Sequence, residues 1–344
     1  MIRIKRFIRS FSLIGLVLIA GYALITGSTT SAPFGDQWVV YDGYSGPGKG
    51  KHIVFVTGDE EYRSEEGMPQ MAKILAKRHG FKCTVLFAID PKTGAIDPET
   101  LNNIPGLETL ASADLMVLFT RFRELPDDQM KYIIDYTNSG KPIIGLRTAT
   151  HAFNYIKNKS GPYAKYSFKD EGFEGGYGRQ VLGETWVGHY GHHGKESSRG
   201  VVAKGKEGHP IVRGCENIWG PTDVYEVGEL TGNSEPIIMG QVLTGMNPDD
   251  SPKSEKPLMP MAWIKNYTGE TGNTSKVFTT TLGAATDLES EGLRRLLVNV
   301  AYWCLGMESQ IPDRANVDIV EPYNPTPFGF GDQKKGVMPA SHKM

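Results

Sequence analysis

The residues able to do chemistry fall in three stretches. The densest is Gly188-His189-Tyr190-Gly191-His192-His193-Gly194. Imidazole changes charge near neutral pH and is a common ligand of divalent metals. His189, His192 and His193 therefore read as acid–base groups, as substrate contacts or as ligands of a divalent metal. The metal reading needs a further ligand, for which Asp223, His209 and Asp287 are the candidates. H-x-x-H-H is no established metal motif, and a polar loop without chemistry is the plain alternative. The second stretch, Asp59-Glu60-Glu61-Tyr62-Arg63, supplies carboxylates and a cation suited to binding hydroxyl groups or trading protons. The third is Arg147-Thr148-Ala149-Thr150-His151. Here His151 can move protons, and Arg147, with Arg121, can hold an oxyanion or neutralise the carboxylates. Structural ion pairing and helix capping are the competing uses of the same residues. Tyr62, Tyr190, Trp186 and Trp263 offer flat faces to a ligand ring, although aromatics more often fill a core.

The second and third stretches each follow a run that reads as a buried strand. Residues 52–57 (HIVFVT), 115–120 and 142–146 are apolar without alternation, as strands covered on both faces are. Gly58 breaks the first. Ser64 then caps a helix that ends at Gly80, with Glu65 and Glu66 as solvated acids in its first turn. Residues 81–89 form the next strand. Pro126 opens a second helix that ends at Gly140. Right-handed crossovers put Asp59 to Arg63, Arg121 to Glu124 and Arg147 to His151 at one rim, the carboxyl ends of the strands, where open α/β sheets bind ligands. The expected fold is α/β, a doubly wound and mostly parallel sheet in a single domain. The turn after the first strand is acidic, and G-x-G-x-x-G is absent, which disfavours a dinucleotide site. Further on, residues 154–178 read as a lid or docking loop. Residues 261–265 and 276–281 pair across a turn, and residues 290–305 form a last helix.

The 344 residues carry a formal net charge of -2, which gives no electrostatic case for a nucleic-acid partner. Cys83, Cys215 and Cys304 are scattered and read as small buried apolar residues. Residues 1–32 read as a targeting segment. Arg3, Lys5, Arg6 and Arg9 precede an uncharged apolar run, and small residues close it. This fits a cleaved secretory signal or an uncleaved anchor over residues 8–26. Either way the body is exported, periplasmic or extracellular, and touches membrane only through this segment. Residues 33–50 read as a linker or strap, 51–306 as the α/β domain, and 307–344 as an irregular tail. In the tail, Tyr323, Phe328 and Phe330 strap onto the domain.

The ordered pieces G-D-E-E-Y-R-S-E-E, I-I-G-L-R-T-A-T-H-A-F, H-P-I, T-D-V-Y, V-F-T-T-T-L-G-A-A-T-D and R-R-L-L-V-N-V-A-Y-W span residues 51–306. In this order they resemble the ThuA-like (trehalose-utilisation) family, a branch of the class I glutamine amidotransferase-like fold. The resemblance implies a flavodoxin-like sheet and a carbohydrate, a sugar or keto-sugar derivative, as substrate. In the parent amidotransferases the turn after the corresponding strand carries a nucleophilic cysteine. Arg147 stands at that position here, and a guanidinium has no free electron pair to attack with. Glutamine hydrolysis is therefore not expected. The expected activity is general acid–base chemistry on a sugar, with His151 or His193 moving protons, Asp59 as a further acid or base, and Arg147 steadying negative charge. Glu60, Glu61, Tyr62, Arg63, Arg121, Thr148, Tyr190, Asp223 and Asp287 are the candidate substrate contacts. The alternative is a non-catalytic envelope protein that binds glycans or a partner.

Overall fold

The computed structural model describes residues 36–344. The targeting segment lies outside them. Among the described residues no helix is long and apolar enough to cross a membrane.

The elements in chain order are β1 Trp38–Tyr41, β2 His52–Gly58, α1 Ser64–His79, β3 Lys82–Leu86, β4 Leu115–Thr120, α2 Asp127–Asn138, β5 Ile143–Leu146, β6 Gly188–His189, β7 Ser198–Val202, β8 Ile218–Gly220, β9 Tyr225–Glu226, β10 Glu235–Val242, β11 Met259–Thr268, β12 Thr274–Thr280 and α3 Glu291–Cys304. A 10-stranded sheet runs β1-β3-β2-β4-β5-β12-β11-β10-β7-β8. Its block β3-β2-β4-β5-β12 is parallel, and every other pairing in it is antiparallel. The sheet is thus α/β but mixed, where a mostly parallel one was expected. The physical reason is local: β11 and β12 are joined by a short turn, which can connect only antiparallel neighbours. β1, inside the stretch read as a linker, is an edge strand paired with β3.

β4 and β5 are buried along their whole length, because helices cover both faces of the parallel block. On one face Met71 and Leu75 of α1 and Leu297 and Ala301 of α3 pack on Phe55, Val117 and Ile144. On the other, Met130 and Ile133 of α2 pack on Val54, Met116 and Ile143. Gly80 ends α1 in the left-handed conformation (φ 82°), its N–H returning to Ala76 O and that of Phe81 to Leu75 O.

The start of α1 departs from the sequence reading. Ser64 does not cap the helix; its hydroxyl accepts the Gly58 N–H at 3.1 Å, tying strand end to helix start. Glu65 is not solvated: it is buried, and neither carboxylate oxygen has a hydrogen-bond partner among the described residues. Burial, with the charge of Glu66 adding, pushes its carboxyl up from 4.5 to about 8. A carboxyl raised on folding contributes stability below its unfolded value that is lost as pH rises through the folded value. Urea unfolding of Glu65→Gln against the parent between pH 5 and 8 reads this group alone. The parent is expected to lose stability relative to the variant by up to roughly 1.4 kcal/mol per pH unit. Parallel curves for the two proteins would contradict the assignment.

Candidate functional site

The parallel strands β2, β4 and β5 end at Gly58, Thr120 and Leu146, so Asp59, Arg121 and Arg147 emerge at one rim. A small second sheet completes the site. β6 pairs with β9, setting His189 opposite Tyr225, and this brings the histidine loop onto Asp223.

Asp223 is the hub. It is fully buried, its Oδ2 lies 2.8 Å from His189 Nδ1, and its Oδ1 lies 3.0 Å from His193 Nδ1 and 3.1 Å from Arg147 Nη2. An ionised carboxylate only accepts hydrogen bonds, so both imidazoles present Nδ1–H to it. Burial alone would raise this carboxyl. The two imidazole hydrogen bonds and the Arg147 charge outweigh burial and hold it well below the usual carboxylate range. Arg147, also fully buried, donates to Thr281 O at 2.6 Å and Asp223 O at 3.2 Å. Its guanidinium lies 4.0 Å from the Tyr62 ring and 4.3 Å from the Tyr225 ring. Its backbone is left-handed (φ 42°), a costly conformation for a residue with a long side chain. Asp287 is fully buried below the hub. It accepts from Thr222 N, Thr222 Oγ1, Gly283 N and Ala284 N, and so fixes the residue next to Asp223.

The acidic stretch forms the opposite wall. Asp59 accepts the Glu61 and Tyr62 N–H groups through Oδ1 and the Thr148 hydroxyl through Oδ2, which shapes the turn. Glu60 pairs with Arg121 at 2.5 Å and with the fully buried Arg123 at 2.7 Å. Glu61 lies 3.5 Å from Arg121 and 3.3 Å from His193 Nε2. Burial raises the carboxyls of both glutamates above their ordinary value against the pull of these cations. Arg63 is buried in the left-handed conformation (φ 58°), and its guanidinium reaches back to Glu60 O and Glu61 O.

Between the walls lies a cavity of about 30 Å³, lined by Glu61, Arg121, His151, Trp186, His189 and Tyr225. His151 is buried among Phe122, Trp186 and Tyr225 (ring centroids 5.0, 5.4 and 6.1 Å away) with Nδ1 3.1 Å from the Thr150 hydroxyl. Burial, helped by Arg121 and Arg147, holds its pKa well below the ordinary imidazole value, so it is neutral near pH 7. Outside His189 and His193 an open groove of about 620 Å³ is lined by Tyr190, His192, Glu196 and Lys256.

Ligand atoms of His189, His193 and Asp223 lie within 4.8 Å of one another, and these donor types suit a divalent ion. The charge balance does not suit one. Arg147 already occupies the Asp223 carboxylate, and a second cation on the same group would face a fixed guanidinium in a low-dielectric site. The arrangement favours proton transfer over metal binding.

The structure brings Glu61, Arg121, His151, His189, His193 and Asp223 together. His192 is exposed and stands outside the metal-capable group, while His209 caps the turn Pro210–Val212 and packs by Trp303. Tyr190 donates to Pro257 O at the outer groove. Asp59, Thr148 and Asp287 have their polar atoms engaged by protein and no exposed surface, so they shape the site rather than meet a ligand. Arg147 likewise has no exposed surface: its Nη1 and Nη2 are spent on Asp223 and two carbonyls and its buried Nε has no partner among the described residues, where an oxyanion contact was expected. Trp263 is fully buried, and Tyr62 nearly so, and neither offers a free face. Residues 154–178 are no free lid: Phe168 packs 6.1 Å from His151 and 5.0 Å from Phe122. Sequence reasoning missed Arg123, Phe122 and Tyr225. The R-F-R pattern after β4 was a usable signal, since it sets two cations at a strand end beside the acidic turn after β2, although the strand stops at Thr120 and Phe122 is left-handed (φ 51°). Nothing in sequence marked Tyr225 as the platform for Arg147.

An α/β sheet with a histidine–aspartate cleft at its parallel rim is thus the class that fold and site define. No family model and no curated protein matches the chain. Solved structures do resemble it. One is a protein from Parabacteroides merdae ATCC 43184 described as ThuA-like, at 16% identity and TM-score 0.47, covering 75% of this chain and 90% of that one. Another, from Bacteroides uniformis ATCC 8492 and also described as ThuA-like, has 14% identity and TM-score 0.47 over 76% of this chain and 93% of that one.

Proposed function

We propose that the chain is an exported ThuA-like enzyme that acts on a sugar or keto-sugar derivative by general acid–base chemistry. The order of the parallel strands, β3-β2-β4-β5-β12, supports the flavodoxin-like, amidotransferase-like form of the fold. The observation that carries the function is the shared carboxylate: Asp223 orients two imidazoles at once. His193 links Asp223 to Glu61, and Glu61 lines the cavity. A proton removed from a substrate hydroxyl, or from carbon beside a keto group, passes to Glu61 or His193. His189 returns a proton from Nε2 when it enters the cycle as imidazolium, its Nδ1–H held by Asp223, and Arg121 stabilises the charge that develops between. A Cys-dependent glutaminase does not fit this site. Cys83 and Cys304 are buried in β3 and α3, and burial pushes up all three thiols.

The test is direct. Full-length protein is incubated with methyl glycosides and their keto derivatives in deuterated water, with product analysis by NMR. Turnover, or deuterium uptake beside the keto carbon, is expected, and it is expected to fail in His193→Ala. No reaction with any such sugar would sink the enzymatic reading. The open groove beside His189 supports a second reading, a glycan-binding envelope protein. That reading predicts sugar binding by the parent without turnover or deuterium uptake for any keto derivative. Export rests on the N-terminal residues, and cell fractionation tests it.

A further inference from the structure

The chain beyond α3 comes back to the cleft. The Thr326 N–H donates to Glu66 Oε2 at 2.9 Å, and Lys334 Nζ reaches the same oxygen at 2.8 Å. One carboxylate on α1 therefore gathers both ends of the segment between them. Its middle, Phe328-Gly329-Phe330, rests on the site. The Gly329 N–H donates to Glu61 O at 2.8 Å, and the Phe328 ring lies 5.5 Å from His193 and 5.7 Å from Tyr62. Phe330 stands 5.0 Å from the Arg121 guanidinium, which also lies 4.4 Å from the Phe122 ring.

Phe328 is half-buried, as a packing residue should be. Phe330 is 58% exposed. It sits between Gly329 (φ 143°) and Gly331 (φ 81°), and a Cβ on either would meet nothing within 4 Å. These glycines serve the path of the backbone, not close packing, and that path holds an aromatic ring in water beside an ion-lined cavity. Such a ring suits a ligand with two kinds of surface. A wholly apolar ligand would strip water from Arg121 and Glu61 and return no hydrogen bond. An open-chain polyol satisfies the ions but has no face to stack.

We propose that residues 326–334 form a ligand-binding loop of the cleft, with Phe330 stacking on the C–H face of a polyhydroxylated ring whose hydroxyls reach Arg121 and Glu61. The choice of a sugar ring rests on the function proposed above. Ligand-observed NMR titration of the full chain tests it, with the methyl pyranosides of glucose, galactose and mannose as probes and sorbitol as the open-chain control. At least one pyranoside is expected to bind. Phe330→Ala is expected to weaken it at least tenfold with no change in melting temperature, and Phe330→Trp to restore it. Sorbitol is expected to bind at least tenfold more weakly and to be indifferent to residue 330. Equal pyranoside binding by Phe330→Ala and the parent, or no pyranoside binding by the parent, overturns the proposal. Phe330-dependent binding without turnover of any keto derivative would leave the loop assignment standing and remove the enzymatic reading alone.

Discussion

Asp223→Asn is expected to lower turnover of a keto-sugar substrate by about three to four orders of magnitude, the loss seen when a carboxylate that orients a catalytic imidazole becomes an amide. The shape at the hub is kept, but the amide presents an N–H to one imidazole where an acceptor is needed. His189 or His193 must then change tautomer or turn away, and its Nε2 no longer serves the cavity. Substrate affinity is expected to stay within a few fold, because Asp223 has no exposed surface to offer a ligand. A variant that keeps activity within tenfold of the parent would show that neither imidazole works through Asp223.

The second large effect concerns stability. Arg147→Met removes the cation from a pair in which both side chains are fully buried. The Asp223 carboxylate then stays in a low-dielectric site with only imidazole partners, and breaking such a pair from one side costs about 3–5 kcal/mol. The stack of the guanidinium on Tyr62 and Tyr225 goes with it. Removing the anion as well is expected to return part of the loss, so Arg147→Met/Asp223→Leu should be more stable than the sum of the single changes predicts. Urea midpoints of parent, singles and double close the cycle. Additive losses would mean that Arg147 contributes through its backbone and ring contacts and not through Asp223.

Strand runs and helix ends were legible because they depend on local rules. Unbroken apolar runs gave β2, β4 and β5, and Gly80 stopped α1 where its left-handed conformation ends the helix. Their common polar rim followed from crossover handedness. The long-range parts were not legible. Glu65 shares its surroundings with the tail residues Tyr323 and Asn324, hundreds of residues away in sequence, so its burial could not be read locally. Arg147 was visible as a cation after a strand, but its role depends on Tyr225 and Asp223, which a separate two-stranded sheet delivers. The histidine loop read as three equivalent imidazoles. Pairing of His189 with Tyr225 selects His189 and His193 and leaves His192 outside. Hydrogen bonds such as those of Asp59 and Asp287 are invisible in sequence, because a carboxylate that shapes a turn and one that meets substrate are the same letter.

Long-range proton–nitrogen correlation spectra of the imidazole side chains test the central claim most directly. If Asp223 sets both rings for proton transfer, Nδ1 of His189 and of His193 is protonated in the parent at neutral pH, and at least one loses that state in Asp223→Asn. Spectra showing both rings as the Nε2–H tautomer in the parent, or one equivalent of a tightly held metal by elemental analysis of the same sample, would contradict it.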